Sequence, residues 1–528
     1  MRLRSILFVA AILVSAATAH ARWLGDINGD DIIDVVDINI LTNFILSGNI
    51  NERADISGDG ELDVLDLNCL INIIIGRTPM QWIDDNPEKD KYDYVWDMEQ
   101  LPEIHIEVSL EQWNQLLSLY DGNAHTKQYI MANTFTFVQD GETTVVDSIG
   151  LRLKGNTSRR RPEGEYGQQH NSRRTQWRHV HFGVNLRKYC KDEDHTIKGV
   201  RKFHLKWFKD DPNYVRELFC YNLFRSYGVW TAPRSNYCRL WLKVEGDRNE
   251  TYFGVYCMNE PIDENYLKDR KDEDHFGSSK GNLWKCKYSA HPATLTENYN
   301  GDYWYDDDSD ENHTYTLQTN TKSFDNGKAQ FIDFMLKLHG KGRESFYNWI
   351  NQICDVDLLL KTYAVTVAVG MWDDYWNNGN NYYLYFTTED IYDYKLFMIP
   401  YDYDNTLGTS MNCGNQSDAG RQNPLEWGVS SNPLMRRMME YDDFKAKYIG
   451  YLKELVAAGN NLMGTDEAKE RVVAWQEKIR NCVSNETGED MSIYDAPAPW
   501  GNHSEYRLLN NDPQTNYFMV KAATINGL

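Results

Sequence analysis

Trp372-Asp373-Asp374-Tyr375-Trp376-Asn377-Asn378-Gly379-Asn380-Asn381-Tyr382-Tyr383-Leu384-Tyr385 is answered downstream by Pro400-Tyr401-Asp402-Tyr403-Asp404-Asn405-Thr406-Leu407-Gly408. Both stretches set carboxylates and carboxamides on turns beside apolar segments. Residues 382–386 and 395–399 read as short strands, rich in aromatic and aliphatic side chains and separated by the turn-like 387–394. If they pair as a hairpin, Asn381 and Asp402 lie at its open end, where hard oxygen ligands could hold a divalent cation such as Mg²⁺. Asp, Asn and Gly also favour turns for their own sake. The residues alone therefore leave open both a metal site and plain turn chemistry.

Upstream, the run 356–370 is apolar apart from Asp357, Lys361 and threonines, and reads as a buried helix leading into Trp372-Asp373. Phe203-His204-Leu205-Lys206-Trp207 reads as a strand. After it, Asp211 is an N-cap with Pro212 at the first helical position; Val215, Leu218, Phe219 and Leu223 make one apolar face, and Gly228 ends the helix. Arg216 and Glu217 fall on its polar side. Residues 237–244 and 250–259 form a hairpin around Gly246-Asp247. Strands are expected over 104–108 and 134–139, with a helix starting at Leu110, capped by Ser109 and with Gln112 three residues on.

Leu151-Arg152-Leu153-Lys154-Gly155 ends a strand in a glycine turn and runs into Arg159, Arg160 and Arg161, then Arg173, Arg174 and Arg178. Forked guanidinium groups in a mobile loop suit phosphate, although a solvated basic face uses the same residues. The acidic stretch Tyr305-Asp306-Asp307-Asp308-Ser309-Asp310-Glu311 reads as a hydrated surface excursion.

At the front of the chain, residues 1–21 carry Arg2 and Arg4, a short apolar run and small residues ending in Ala19-His20-Ala21, the pattern of a secretory signal peptide. Residues 26–76 hold an internal repeat. Asp26, Asn28, Asp30, Asp34 and Asp37 occupy loop positions 1, 3, 5, 9 and 12; Asp55, Ser57, Asp59, Asp63 and Asp66 repeat them 29 residues later. This is the spacing of an EF-hand Ca²⁺ loop. The first loop has Asp31 where Gly is preferred. Each loop opens an apolar helix, expected over 38–46 and 67–75. The polar, Pro-containing 79–95 reads as a linker.

A chain of 528 residues with 41% hydrophobic and 13% aromatic residues can fill a large core, and its net charge of −23 argues against nucleic acid and anionic lipid as partners. No later window reads as a membrane span. Nine cysteines lack C-x-x-C spacing, which argues against zinc, and their odd number leaves at least one unpaired.

The two acidic blocks resemble the signature of the CotH-type spore-coat kinase family, D-x-x-W-x-N-x-N-N-Y-x-L-Y followed by P-W-D-x-D-x-T-x-G, with Tyr401 replacing the usual Trp. Its R-G-N-x-S block is matched with Lys154 in place of Arg, and its G-x-Y-x-x-x-E-x-I-D block by Gly254 to Asp263, which includes Glu260. The resemblance implies a mixed α/β (α+β), atypical protein-kinase-like catalytic domain over 96–528. It implies ATP and Mg²⁺ as cofactors, Asp373 as the base with Asp374 less favoured, and Asp402 and Asp404 as metal ligands together with Asn378 or Asn381. Lys154, Glu260 and either Lys206 or Lys285 would serve the nucleotide; the choice between the two lysines stays open. Position 12 is Asp rather than Glu, and a helix only follows each loop, so residues 25–78 resemble a small all-α dockerin that binds Ca²⁺ and docks to a cohesin on an extracellular scaffold of cellulosome type. The expected activity is phosphoryl transfer to Ser, Thr or Tyr hydroxyls of co-assembled exported proteins. AMP transfer at the same site, and a non-catalytic adhesive or carbohydrate-contacting role in a polysaccharide-degrading assembly, are the alternatives.

Overall fold

The computed structural model describes residues 22–28, 32–47, 54–57, 61–78, 80, 82–83, 94–296, 303–305, 313–409, 418–489, 491–499 and 505–528. The expected signal peptide, the loop ligands Asp30 and Asp59, most of the expected linker and the acidic run 306–312 lie outside these residues. The chain divides into two compact units, residues 1–93 and 94–528. No helix among the described residues is long and apolar enough to cross a membrane.

The first unit comprises β1 (Arg22–Trp23), α1 (Val35–Ser47), α2 (Val64–Ile74) and β2 (Trp82–Ile83). β1 and β2, which flank the expected 25–78, pair antiparallel, with Arg22 opposite Ile83. Both helices begin three residues earlier than the apolar runs suggested, because the last loop positions already form the first helical turn. Asp34 accepts the N–H of Val36 (2.7 Å), and Asp63 caps α2 through the N–H of Leu65 (2.6 Å).

The two loops are also built alike. Asp37 accepts N–H groups from Ile27 (2.8 Å), Asn28 (3.2 Å) and Asp34 (2.9 Å); Asp66 accepts the equivalent three from Ile56, Ser57 and Asp63, each at 2.9 Å. Burial alone would raise the Asp66 carboxyl, but these donated bonds hold it below its usual range. Ile27, Leu41, Ala54, Ile56, Leu70 and Ile73 form the small core between the repeats.

In the second unit, β3 (Glu103–Val108), β4 (Ile130–Gln139), β5 (Glu142–Lys154), β6 (His181–Asn185), β7 (Lys202–Lys206), β8 (Ser235–Val244) and β9 (Thr251–Asn259) close a barrel in the order 3-4-5-6-7-9-8. β8 returns parallel to β3, Ile104 opposite Leu240. Alternation puts Ile104, Ile106 and Val108 of β3 in the core. β5 ends on Lys154, which faces His181 at the start of β6, and β7 ends on Lys206, so these three share one rim. Between β3 and β4 lies α3 (Leu110–Gly122), capped as expected by Ser109, whose Oγ accepts the N–H of Gln112 at 3.2 Å.

α4 (Arg216–Ser226) starts four residues after Pro212. Asp211 does not cap a helix at Pro212: its carboxylate takes the N–H groups of Val215 and Arg216, both at 2.8 Å. Tyr214 adopts φ +59° in the intervening turn. The expected apolar face is buried, but so are Arg216 and Glu217, which corrects their assignment to a polar side.

A second sheet runs β11 (Trp304–Tyr305), β12 (Tyr315–Leu317), β10 (Asn282–Cys286), β13 (Tyr382–Phe386) and β14 (Leu396–Pro400). β13 and β14 pair as the expected hairpin, with Tyr382 opposite Pro400. The expected buried helix is α5 (Val356–Ala368), which leads through the short α6 (Tyr375–Asn378) into β13. Aromatic residues of the helices and of this sheet fill one continuous core.

The arginine-rich segment is not a free phosphate arm. Arg159 donates to the carbonyls of Ala124 (3.1 Å) and Thr126 (2.9 Å), Arg160 grips Glu489 with both terminal nitrogens, Arg161 pairs with Asp121, Arg174 with Glu486 and Arg178 with Glu165. These guanidinium groups pin the segment in place.

Candidate functional site

The centre of the site is the Lys206 ammonium. It lies 2.6 Å from Glu217 Oε2, 2.5 Å from Asp402 Oδ1 and 3.3 Å from Asp404 Oδ2. Lys206 and Glu217 expose 6% of their side chains, whereas Asp402 and Asp404 keep 35% and 42%. The cluster is therefore sealed on the α4 side and open on the hairpin side. Oxygens of the three carboxylates lie within 4.8 Å of one another, near enough to share one cation.

Charge coupling follows from this geometry. Burial works against the Lys206 charge, but Asp402, Asp404 and Glu217 hold its pKa well above the usual lysine value. Burial likewise works against the Asp402 charge, yet Lys206 and then Lys154 keep that carboxyl well below the carboxylate range. Partial burial pushes the Asp404 carboxyl up, with Lys206 opposing and Asp402 and Glu217 adding to the rise.

α4 fixes this turn from one side. Tyr221, one turn beyond Glu217, accepts the N–H of Asp402 at 2.9 Å, and Arg216 Nε donates to the Thr406 carbonyl at 3.1 Å. At the open end of the hairpin, Tyr401 N–H donates to Asn381 O at 3.2 Å. Asn381 and Asp402 both sit in the left-handed region, at φ +53° and +61°. Asn and Asp are among the few residues that enter it at modest cost, so each acceptor is aimed by backbone that most side chains would resist.

Asp373 is held by three carboxamides. Oδ1 accepts from Asn378 Nδ2 (2.6 Å) and Asn380 Nδ2 (3.0 Å), and Oδ2 from Asn381 Nδ2 (2.9 Å). With their amide groups so used, Asn378 and Asn381 keep their carbonyl oxygens as remaining acceptors. Burial raises the Asp373 carboxyl, the carboxamides lower it and Asp402 raises it again, leaving it at about 6.

Asp374 has a different task. It caps α6, Oδ1 accepting the N–H of Asn377 at 2.8 Å, while its buried Oδ2 has no hydrogen-bond partner among the described residues. Burial pushes its pKa to about 7, above the value of about 3.9 expected in an unfolded chain. Its neutral form therefore contributes stability that is fully present below about pH 4 and is lost as pH rises through about 7. Asp374→Asn keeps the capping oxygen without the charge. Thermal melts should show no gain for this variant near pH 4 and a gain of about 2–4 kcal/mol at pH 8; a pH-independent difference would contradict the assignment.

The remaining sequence candidates separate. Lys154 is buried, and its ammonium has the Tyr401 hydroxyl at 3.4 Å; burial and Lys206 lower its pKa to about 8. Lys285 also faces the Tyr401 ring, its Nζ 5.6 Å from the centroid. Glu260 does not join them. It is buried against Arg270 (2.7 Å) and Arg234 (3.0 Å), which overcome burial and hold it at about 2. Burial first, and then surrounding cations, among them Lys206 and Lys154, hold the His181 and His204 imidazoles well below their usual range. The residue that sequence reading missed is Glu217; the available signal was its place four residues before Tyr221 on a helix flanked by apolar positions.

Residues 151–507, about two thirds of the chain, match the family model described as CotH kinase protein, and residues 24–75 match the Dockerin type I domain. No curated protein matches the chain.

Proposed function

The chain belongs to the CotH kinase protein family, and from that premise we propose that it transfers the γ-phosphoryl group of Mg-ATP to Ser, Thr or Tyr hydroxyls of exported proteins. The observation that carries this reading is the seat around Lys206. A strand lysine paired with a helix glutamate, beside an aspartate-bearing turn, is the arrangement that phosphoryl transfer uses to align a triphosphate, and it supports an atypical kinase-like site. The donor set suits the ligand: the part-exposed Asp402 and Asp404 can share a hard cation, and the buried Lys154 ammonium, with a phenol as its described hydrogen-bond partner, favours an anion.

Mg-ATP would supply the electrophilic phosphorus and the neutralisation of phosphate charge. Asp402 and Asp404, with the carbonyl oxygen of Asn378 or Asn381, would hold the metal. Lys206, Lys154 and Lys285 would hold phosphate oxygens, and Glu217 positions Lys206. Asp373, oriented by Asn378, Asn380 and Asn381, takes the proton of the acceptor hydroxyl. Asp373 titrates at about 6, so it is ionised at neutral pH and loses its basic form as pH falls through 6. Transfer should therefore fall about fivefold between pH 6 and pH 5; a flat acid limb would remove Asp373 from this role.

The test is incubation of the full chain and a pool of Ser/Thr/Tyr peptides with γ-labelled and, separately, α-labelled Mg-ATP. Label from the γ position alone supports the reading. Label from the α position would indicate AMP transfer, and no label in either case would overturn enzymatic function.

The same proposal extends to the first unit. Asp26, Asn28, Asp30, Asp34 and Asp37, and Asp55, Ser57, Asp59, Asp63 and Asp66, would bind two Ca²⁺ ions. The loaded unit would dock to a cohesin on an extracellular scaffold and bring the exported enzyme to its acceptors.

A further inference from the structure

The segment joining β6 to β7, at the opposite end of those strands from Lys206, reads Cys190-Lys191-Asp192-Glu193-Asp194-His195. A sulfur of Cys190, a carboxylate oxygen of Asp192 and a ring nitrogen of His195 lie within 4.8 Å of one another. The turn that gathers them is closed by the His195 N–H on the Asp192 carbonyl at 3.2 Å. A second observation concerns the imidazole. His195 Nε2 stands 3.0 Å from the backbone carbonyl of Asp147 on β5 and 3.3 Å from its carboxylate. Both partners can only accept, so Nε2 carries a proton and, in the neutral ring, Nδ1 keeps its lone pair. No hydrogen bond occupies Nδ1 among the described residues. A histidine anchored through one nitrogen on a carbonyl or carboxylate, with the other nitrogen free, is poised as histidines are when they bind metals.

We propose that Cys190, Asp192 and His195 form a binding site for Zn²⁺ or a similar borderline divalent ion, with water in the fourth position. A tetrahedral ion with bonds of about 2.0–2.3 Å places its ligand atoms about 3.3–3.8 Å apart, so closure requires the three side chains to draw in by about 1 Å or less. Thiolate and imidazole donors exclude Ca²⁺ and Mg²⁺, and they distinguish this site from the all-oxygen seat at Lys206. The absence of C-x-x-C spacing hid it: here one thiolate, one carboxylate and one imidazole follow a C-x-D-x-x-H pattern within a single loop. Its role is to staple the loop between β6 and β7 to β5 through the His195–Asp147 bonds.

The test uses the full-length reduced protein and Co²⁺ as a spectroscopic stand-in for Zn²⁺. One equivalent of Co²⁺ should give a thiolate-to-cobalt charge-transfer band, displaced by Zn²⁺. Cys190→Ser should abolish the band, and His195→Ala should weaken Zn²⁺ binding at least a hundredfold in chelator competition. Replacement of Cys69 or Cys482, the other half-buried thiols among the described residues, should leave both signals intact. Circular dichroism checks that the variants fold. A band that survives Cys190→Ser, no band in the wild type, or a Cys190 already oxidised in a disulfide would each overturn the proposal.

Discussion

Asp402→Asn is expected to lower γ-phosphoryl transfer by about 10³-fold while leaving the fold in place, because it removes a charge that stabilises the reacting phosphate and little else. Asparagine tolerates the φ of +61° at this position, and the N–H donated to Tyr221 belongs to the backbone. Lys206 retains Glu217 and Asp404. The substitution has a second signature. Asp402 is one of the groups that raise the Asp373 carboxyl, so the acid limb of whatever activity remains should shift below pH 6. Assays of labelled transfer across pH check both. Wild-type rates would show that Asp402 does not serve the metal, and an unmoved acid limb would separate it from Asp373.

Lys206→Met is the second large effect. Transfer should fall by about 10²–10³-fold, since the lysine is the cation that phosphate oxygens would meet at the rim. Stability should fall as well. The Lys206–Glu217 pair is buried on both sides, and stranding one member of such a pair costs about 3 kcal/mol; the half-exposed Asp402 and Asp404 add less because water screens them. Without its ammonium the seat retains three converging carboxylates. Mg²⁺ without nucleotide should therefore raise the melting temperature of Lys206→Met by several degrees, and that of the wild type much less. Equal responses in the two proteins would mean that these oxygens do not form a cation seat.

Much of this architecture could be read from local pattern. The β13–β14 hairpin followed from two aromatic and aliphatic runs around a turn, the Ser109 cap from one residue and its i+3 partner, and the paired helices of the first unit from loops spaced 29 residues apart. The sequence missed what only distant segments decide. Helical periodicity marked the apolar face of α4 but could not foretell that the opposite side would meet the turn after β14, so Glu217 read only as a polar-side residue. Lys206 and Lys285 were equivalent as strand lysines until β7 was brought against Asp402. Glu260 matched a motif, yet its charge is spent on Arg234 and Arg270. The arginine cluster stayed open between two readings for the same reason: its carboxylate partners Asp121 and Glu489 lie far away in the chain.

The parallel return of β8 onto β3 has a consequence for life in a crowded assembly. A ring of seven strands has no first or last member, so its backbone offers neighbours no unpaired ladder on which to add a strand. Among the described residues of the second unit, only the second sheet has rims; one belongs to a strand of two residues and the other to a strand ending in proline, both poor templates for runaway polymerisation. Many copies held side by side would therefore be protected from fusing into fibrils through this part of the molecule.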